Sequence, residues 1–217
     1  NSTTLLSWHA GEFILNATGR DNLSIKNCNV VGKKGISFGD VNNSDLFNNT
    51  VYTSTSGFDF SNSYNNLLNS SNVSSSLGIY FGHSYFNNVT NNFILGLVYS
   101  TSTLIDLFIS SNNTIFNNYL DNGSIGIEVG YNSLVNNISY NNISTIFTKW
   151  IYENNDADFI TRTFYPYVSN SSTYIGNNII INSSNAFYIE NGTNRLVEEN
   201  NFINSSTYGL YFSEIGT

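Results

Sequence analysis

Two kinds of side chain in this sequence are spaced so that they could do chemistry. The first is a pair of carboxylates, Asp59 in Phe58-Asp59-Phe60 and Asp106 in Ile105-Asp106-Leu107. Each sits in the middle of an apolar–polar–apolar step, where period-2 alternation turns it away from a core. If the two steps occupy equivalent strands of a stack with one coil between them, a rise of ~4.8 Å per rung sets them about 9.6 Å apart. Inverting glycoside hydrolysis uses a carboxylic acid and a carboxylate ~6.5–9.5 Å apart. Tyr80, in Ile79-Tyr80-Phe81, would lie between them. With Tyr188 and Tyr211 it forms a set of outward aromatics on which a sugar ring could stack. The plainer reading is also open: two of eight Asp fall in one column by chance, and the tyrosines form a cross-strand ladder that only stabilises a sheet. No Arg or Lys flanks the carboxylates to hold an acidic sugar.

The second is the asparagine amide. Sixteen asparagines open an N-x-[ST] tripeptide, the acceptor sequence for N-linked glycan. They are Asn1, Asn16, Asn22, Asn42, Asn48, Asn69, Asn72, Asn88, Asn112, Asn122, Asn137, Asn142, Asn170, Asn182, Asn191 and Asn204. The chain has 40 Asn, and its Ser and Thr content would place about nine such tripeptides by chance. Turn chemistry accounts for part of the excess. Dense N-glycosylation accounts for the rest, and implies a secreted, surface-exposed glycoprotein carrying covalent glycans and no other cofactor.

Other chemistries are poorly supplied. His9 and His83 are the only imidazoles and have no Cys or acidic cluster beside them in sequence, so no metal site is expected. Cys28 is the single cysteine; its alternating context, Ile25-Lys26-Asn27-Cys28-Asn29-Val30, suits a small packed thiol, and no internal disulfide can form. Asp156 and Asp158 in "NNDADF" lack the spaced oxygen ligands of a calcium loop. No G-x-S-x-G nucleophile elbow occurs. A net charge of −8, with Lys33-Lys34 the only basic cluster, argues against a nucleic-acid partner. No apolar run reaches the ~18 residues of a membrane span. The sequence contains no Met, as expected of a processed chain or a fragment.

The elements that must carry these residues are short strands. Charged residues make up 10% of the chain, far below the ~25% of an ordinary domain. An apolar–any–apolar step, usually after a small residue, recurs at Ile36-Ser37-Phe38, Phe58-Asp59-Phe60, Ile79-Tyr80-Phe81, Ile105-Asp106-Leu107, Ile125-Gly126-Ile127, Phe187-Tyr188-Ile189 and Leu210-Tyr211-Phe212. The first three steps lie 22 and 21 residues apart. The middle residues, Ser37, Asp59, Tyr80, Asp106 and Gly126, would form the outward column. Asn-rich segments such as Ile115-Phe116-Asn117-Asn118-Tyr119-Leu120 and Ile175-Gly176-Asn177-Asn178-Ile179-Ile180 alternate with these steps. No sustained helical periodicity appears. Three- to five-residue strands recurring about every 22 residues mean an all-β parallel β-helix, or β-solenoid. Paired Asn suits its tight turns, because Asn tolerates the left-handed backbone region and its amide can form a ladder along the stack.

The "N-x-I-x-N-N-x-[IF]…G-[IF]-x-[FI]" units resemble the right-handed parallel β-helix repeats of the pectate-lyase-like superfamily, in its carbohydrate-binding and sugar-hydrolase repeat branch. The resemblance covers residues 20–142 and 173–212. It implies the right-handed fold and leaves activity open, since enzymes, adhesins and surface proteins share that fold. Residues 1–19 read as a lead-in strand and cap, residues 20–217 as the β-helix, and 154–172 as an insertion loop. The expected function is structural: a non-catalytic extracellular subunit of a filament, sheath or layer that self-associates through its ends. The alternative is a carbohydrate-binding or carbohydrate-active β-helix adhesin whose partner is a polysaccharide.

Overall fold

The computed structural model describes residues 3–6, 12–97, 102–130, 133–154, 173–183, 185–190 and 195–213. Among them there is no helix. The strands form a 14-stranded and an 8-stranded sheet in which each pairing is parallel. The chain is thus a β-solenoid whose successive coils lie one above the next. Its 14-stranded sheet bends along its length and supplies two faces. Thr50–Ser61 runs across the bend in one strand, whereas Asn72–Ser75 and Leu77–Gly82 divide there. The third face is the 8-stranded sheet, built of three- and four-residue strands such as Asp45–Phe47 and Leu67–Asn69.

Alternation decides what fills the interior. On the first face Val30, Val51, Val73, Ile94, Leu120 and Ile143 occupy one register column and are buried. On the second, Ile36, Phe58, Ile79, Ile105 and Ile127 form one inward column, and Phe38, Phe60, Phe81, Leu107 and Val129 the next. Leu46, Leu68, Val89, Ile115 and Ile138 close the third face. β-Branched and aromatic side chains fit this pleated, half-buried surface. Phe60 stacks on Phe81 with ring centres 4.9 Å apart.

Most corner positions follow one local rule. A residue with positive φ is followed by a buried polar residue whose side chain accepts the backbone N–H of its counterpart one coil earlier. Asn65 (φ 54°) precedes Asn66, and Asn66 Oδ1 accepts the N–H of Ser44 at 3.0 Å. Asn117 (φ 53°) precedes Asn118, and Asn118 Oδ1 accepts the N–H of Asn92 at 2.9 Å. The buried Nδ2 donates back to a main-chain carbonyl, as Asn118 does to Val89 at 2.9 Å. At the third corner serine does the same work: Ser63, Ser84, Ser110 and Ser133 accept from Val41, Ser63, Ser84 and Ser110. In the pairs Asn48-Asn49, Asn65-Asn66, Asn91-Asn92, Asn112-Asn113, Asn117-Asn118 and Asn177-Asn178 the first supplies the left-handed backbone and the second supplies the ladder. Among the described residues, 12 of the 21 non-glycine residues with positive φ are Asn.

The glycine ahead of three of the apolar steps has a steric cause. A Cβ on Gly35 would stand 2.2 Å from the carbonyl oxygen of Gly57; one on Gly57, 2.5 Å from that of Gly78; one on Gly78, 2.3 Å from that of Leu104. The chain turns from the first face to the second here, and neighbouring coils touch backbone to backbone.

One register assignment is corrected. The coil after Asp106 aligns Ile105 with Ile127 and Asp106 with Glu128. The outward column therefore contains Glu128, and Gly126 lies beside it in the crowded corner series. The strands Thr3–Leu6 and Phe13–Thr18 already pair with Cys28–Val31 and Lys34–Gly39, so parts of 1–19 form a rung of the stack. Trp8, His9, Asp156 and Asp158 lie outside the described residues, as does the segment 155–172 expected to form an insertion loop.

Candidate functional site

On the second face one register position can be followed coil by coil: Asn16, Ser37, Asp59, Tyr80, Asp106 and Glu128, which point outward, and then Tyr152, Tyr188 and Tyr211 in the same backbone register. From Ser37 to Glu128 each residue is held by apolar neighbours that anchor in the core, as Ile105 and Leu107 hold Asp106. Asp59 and Asp106 lie two rungs apart with Tyr80 between them, as their sequence spacing suggests. Tyr188 and Tyr211 are register neighbours farther along the same column.

Asp106 and Glu128 occupy adjacent rungs, a spacing of ~4.8 Å in the backbone. Burial, and then the charge of Glu128, push the Asp106 carboxyl up to about 7. Asp59 is also raised by burial, opposed by a 2.7 Å hydrogen bond from Ser61 Oγ to its Oδ1 and by Lys34. Burial, followed by the charges of Asp106 and Asp59, pushes the Tyr80 phenol up as well. The Tyr80 ring lies along its own strand: a Cβ placed on Gly82 would come within 2.9 Å of it. It is half-buried, so its face is less open to a sugar than its outward position alone suggests. A carboxyl that titrates near neutrality beside a second carboxyl has the makings of an acid–base pair. On adjacent rungs the spacing approaches the ~5–5.5 Å of retaining glycosidases; Asp59 and Asp106 approach the inverting range.

Glu128 escapes the sequence pattern because the apolar step, read there, starts two residues early. The signal is present nonetheless: Ile127-Glu128-Val129 is itself apolar–polar–apolar and begins 22 residues after Ile105, the ordinary coil length, where Ile125 begins after 20.

The asparagines of the sequons scatter over the exterior. Asn16, Asn22, Asn48, Asn72, Asn88, Asn112, Asn137 and Asn204 are exposed, and Asn42, Asn69, Asn122 and Asn142 are half-buried. Asn1, Asn170 and Asn191 lie outside the described residues, as does the side chain of Asn182. Aromatics also stack on the exterior: Phe93 on Tyr119 at 5.1 Å and Tyr64 on Tyr85 at 5.5 Å. Cys28 is half-buried, with its Sγ 3.6 Å from the Lys26 carbonyl. Among the described residues no group of three or more His, Cys, Asp and Glu is arranged to hold a metal ion, and no helix is long and apolar enough to cross a membrane.

No family model, curated protein or solved structure matches this chain.

Proposed function

We propose that this chain is a structural β-solenoid of an extracellular glycoprotein, a stiff spacer within a surface filament, sheath or layer. The observation that carries this reading is the separation of its asparagines. The buried ladder asparagines bind coil to coil, while none of the sequons begins at one of them and many sequon asparagines are exposed. One residue type thus supports both a rigid stack and a sugar-bearing surface. The stack also gives a route to self-association, because each coil meets the next through the same parallel pairing, and a neighbouring molecule can be met in the same way. Negative-stain electron microscopy of the native glycosylated protein tests this. Filaments or sheets with an axial repeat near one rod length support it; single rods at every concentration overturn the self-association.

The adjacency of Asp106 and Glu128 favours a second reading, a carbohydrate-active or carbohydrate-binding face. Its test is turnover or binding of neutral and acidic polysaccharides by the intact chain. Activity lost in both Asp106→Asn and Glu128→Gln, with folding retained, would replace the structural reading.

A further inference from the structure

The fold sorts the sequons into two groups. A buried ladder asparagine does not begin a sequon wherever its second successor is a core residue: Asn66 leads to Leu68, Asn87 to Val89, Asn113 to Ile115 and Asn118 to Leu120. Several sequons arise one position to either side. Asn48 and Asn112 are the positive-φ residues just before a ladder residue, with Thr50 and Thr114 two places on. Asn72, Asn88 and Asn137 are the first outward residues of a strand, just after a ladder residue.

Exposure then separates those that have room for a sugar from those that do not. Asn137 accepts from Ser139 Oγ at 2.9 Å, which engages its oxygen and leaves its nitrogen available. Asn48 Nδ2 bonds to Oδ1 of Asn27, itself exposed, and can swing into solvent. The half-buried group is different. Asn122 commits Nδ2 to the Gly96 carbonyl at 2.8 Å, and a Cβ on Gly96 would stand 2.1 Å from the Asn122 carbonyl oxygen. Asn142 Oδ1 is enclosed and has no hydrogen-bond partner. Asn42 Oδ1 accepts the N–H of Tyr64 at 2.9 Å and so forms part of the coil-to-coil bonding.

We propose that Asn22, Asn48, Asn72, Asn88, Asn112 and Asn137 are the N-glycan acceptors of the central coils, and that Asn42, Asn122 and Asn142 stay unmodified. The inference rests on the extracellular glycoprotein reading and refines it. The co-reactant is an oligosaccharide on a polyprenyl phosphate or diphosphate. The asparagine Nδ2 forms a bond to the anomeric carbon, the bond from that carbon to the prenyl phosphate breaks, the phosphate departs with the bonding pair, and the amide loses one proton. The six sites occupy two corners, the first face and the third face. The second face has no sequon from Ser37 to Glu128, so the column of Asp59, Tyr80, Asp106 and Glu128 remains free of sugar.

The test is to secrete the whole chain from a eukaryotic host with N-glycosylation and treat it with peptide N-glycosidase in heavy-oxygen water. Mass spectrometry of the peptides then reads each formerly occupied Asn as a labelled Asp. The expected result is label at the six sites and none at Asn42, Asn122 and Asn142. Equal label at the latter three, or label there and not at the six, overturns this inference and leaves the glycoprotein reading standing. No glycan anywhere overturns both. Asp59→Asn supplies a second measurement, since it sets an asparagine two places before Ser61 and so creates a new sequon at a half-buried position on the bare face. That position is expected to stay unmodified in secreted protein; full occupancy there overturns the rule that burial decides.

Discussion

At the scale of single residues the corners show where the chain is at ease and where it is strained. Asn22, Asn43, Asn65 and Asn112 adopt positive φ at one corner, and Val135 adopts it at the equivalent place with φ 58°. A β-branched side chain is crowded in that region, at a cost of ~1–2 kcal/mol. Val135 is also 41% exposed, so it contributes little to the core. Val135→Asn is expected to stabilise the protein by about 1 kcal/mol, read as a higher Tm in calorimetry; a lower Tm would contradict the strain. Asp106 gives a second prediction. Its carboxyl is raised from 3.8 to about 7 by burial and by Glu128. The folded chain therefore holds a proton that the unfolded chain has released. The acid's contribution is most favourable below pH 4, declines as the pH rises toward 7, and stays low above that. Asp106→Asn is expected to flatten that decline and to raise stability at pH 8, by at most roughly 4 kcal/mol. Chemical denaturation at pH 5 and pH 8 checks both statements, and an unchanged slope would mean that the carboxyl is solvated.

At the scale of strands and corners the stack depends on two close fits. Asn118 accepts from Asn92 and donates to Val89 and Asn141. Asn118→Ala removes the acceptor of the buried Asn92 N–H and the side-chain donor to the Val89 carbonyl, at ~1–3 kcal/mol each, while Asn141 Oδ1 keeps the backbone N–H of residue 118. A loss above about 2 kcal/mol in urea denaturation is expected, larger than for an exposed strand control such as Asn201→Ala. Gly57→Ala places a methyl group 2.5 Å from the Gly78 carbonyl. It is expected to cost ~1–3 kcal/mol by overpacking even though alanine is otherwise the better residue; a neutral effect would mean that the corner yields. Much of this was legible in the sequence. The apolar steps set the inward columns, and the paired Asn marked the corners. Two things were hidden. Periodicity alone does not say which of two overlapping apolar steps carries the register, so Gly126 stands in the expected column where the structure has Glu128. Nor does composition reveal that a Gly is demanded by a carbonyl in the next coil. Asp106 stands in its column as expected, but its neighbour, and hence its acidity, emerges only once the strands are paired.

At the scale of the molecule the coil is the unit of construction. Asn62 and His83 hold the same corner position, and Ser63 and Ser84 the same ladder position. Excising Asn62 through Gly82 therefore joins Ser61 to a residue with the same local duty and keeps every column in register. The shortened chain is expected to fold with the same β-type circular dichroism, because stability in such arrays is close to a sum over neighbouring units. Removal of only Asn62 through Ser71 shifts the columns and is expected to yield an aggregated or unfolded product. If both deletions fold equally well, the columns do not set the register.

The amide ladder carries a further consequence. Asn66 is the acceptor for Ser44, Asn87 for Asn66, Asn113 for Asn87 and Asn136 for Asn113, so each side-chain oxygen looks back toward the coil before it. Nothing in the column reverses. The rod is thus a vector whose sense is written into every storey. Two such vectors laid nose to tail continue one another, whereas two brought nose to nose confront like with like.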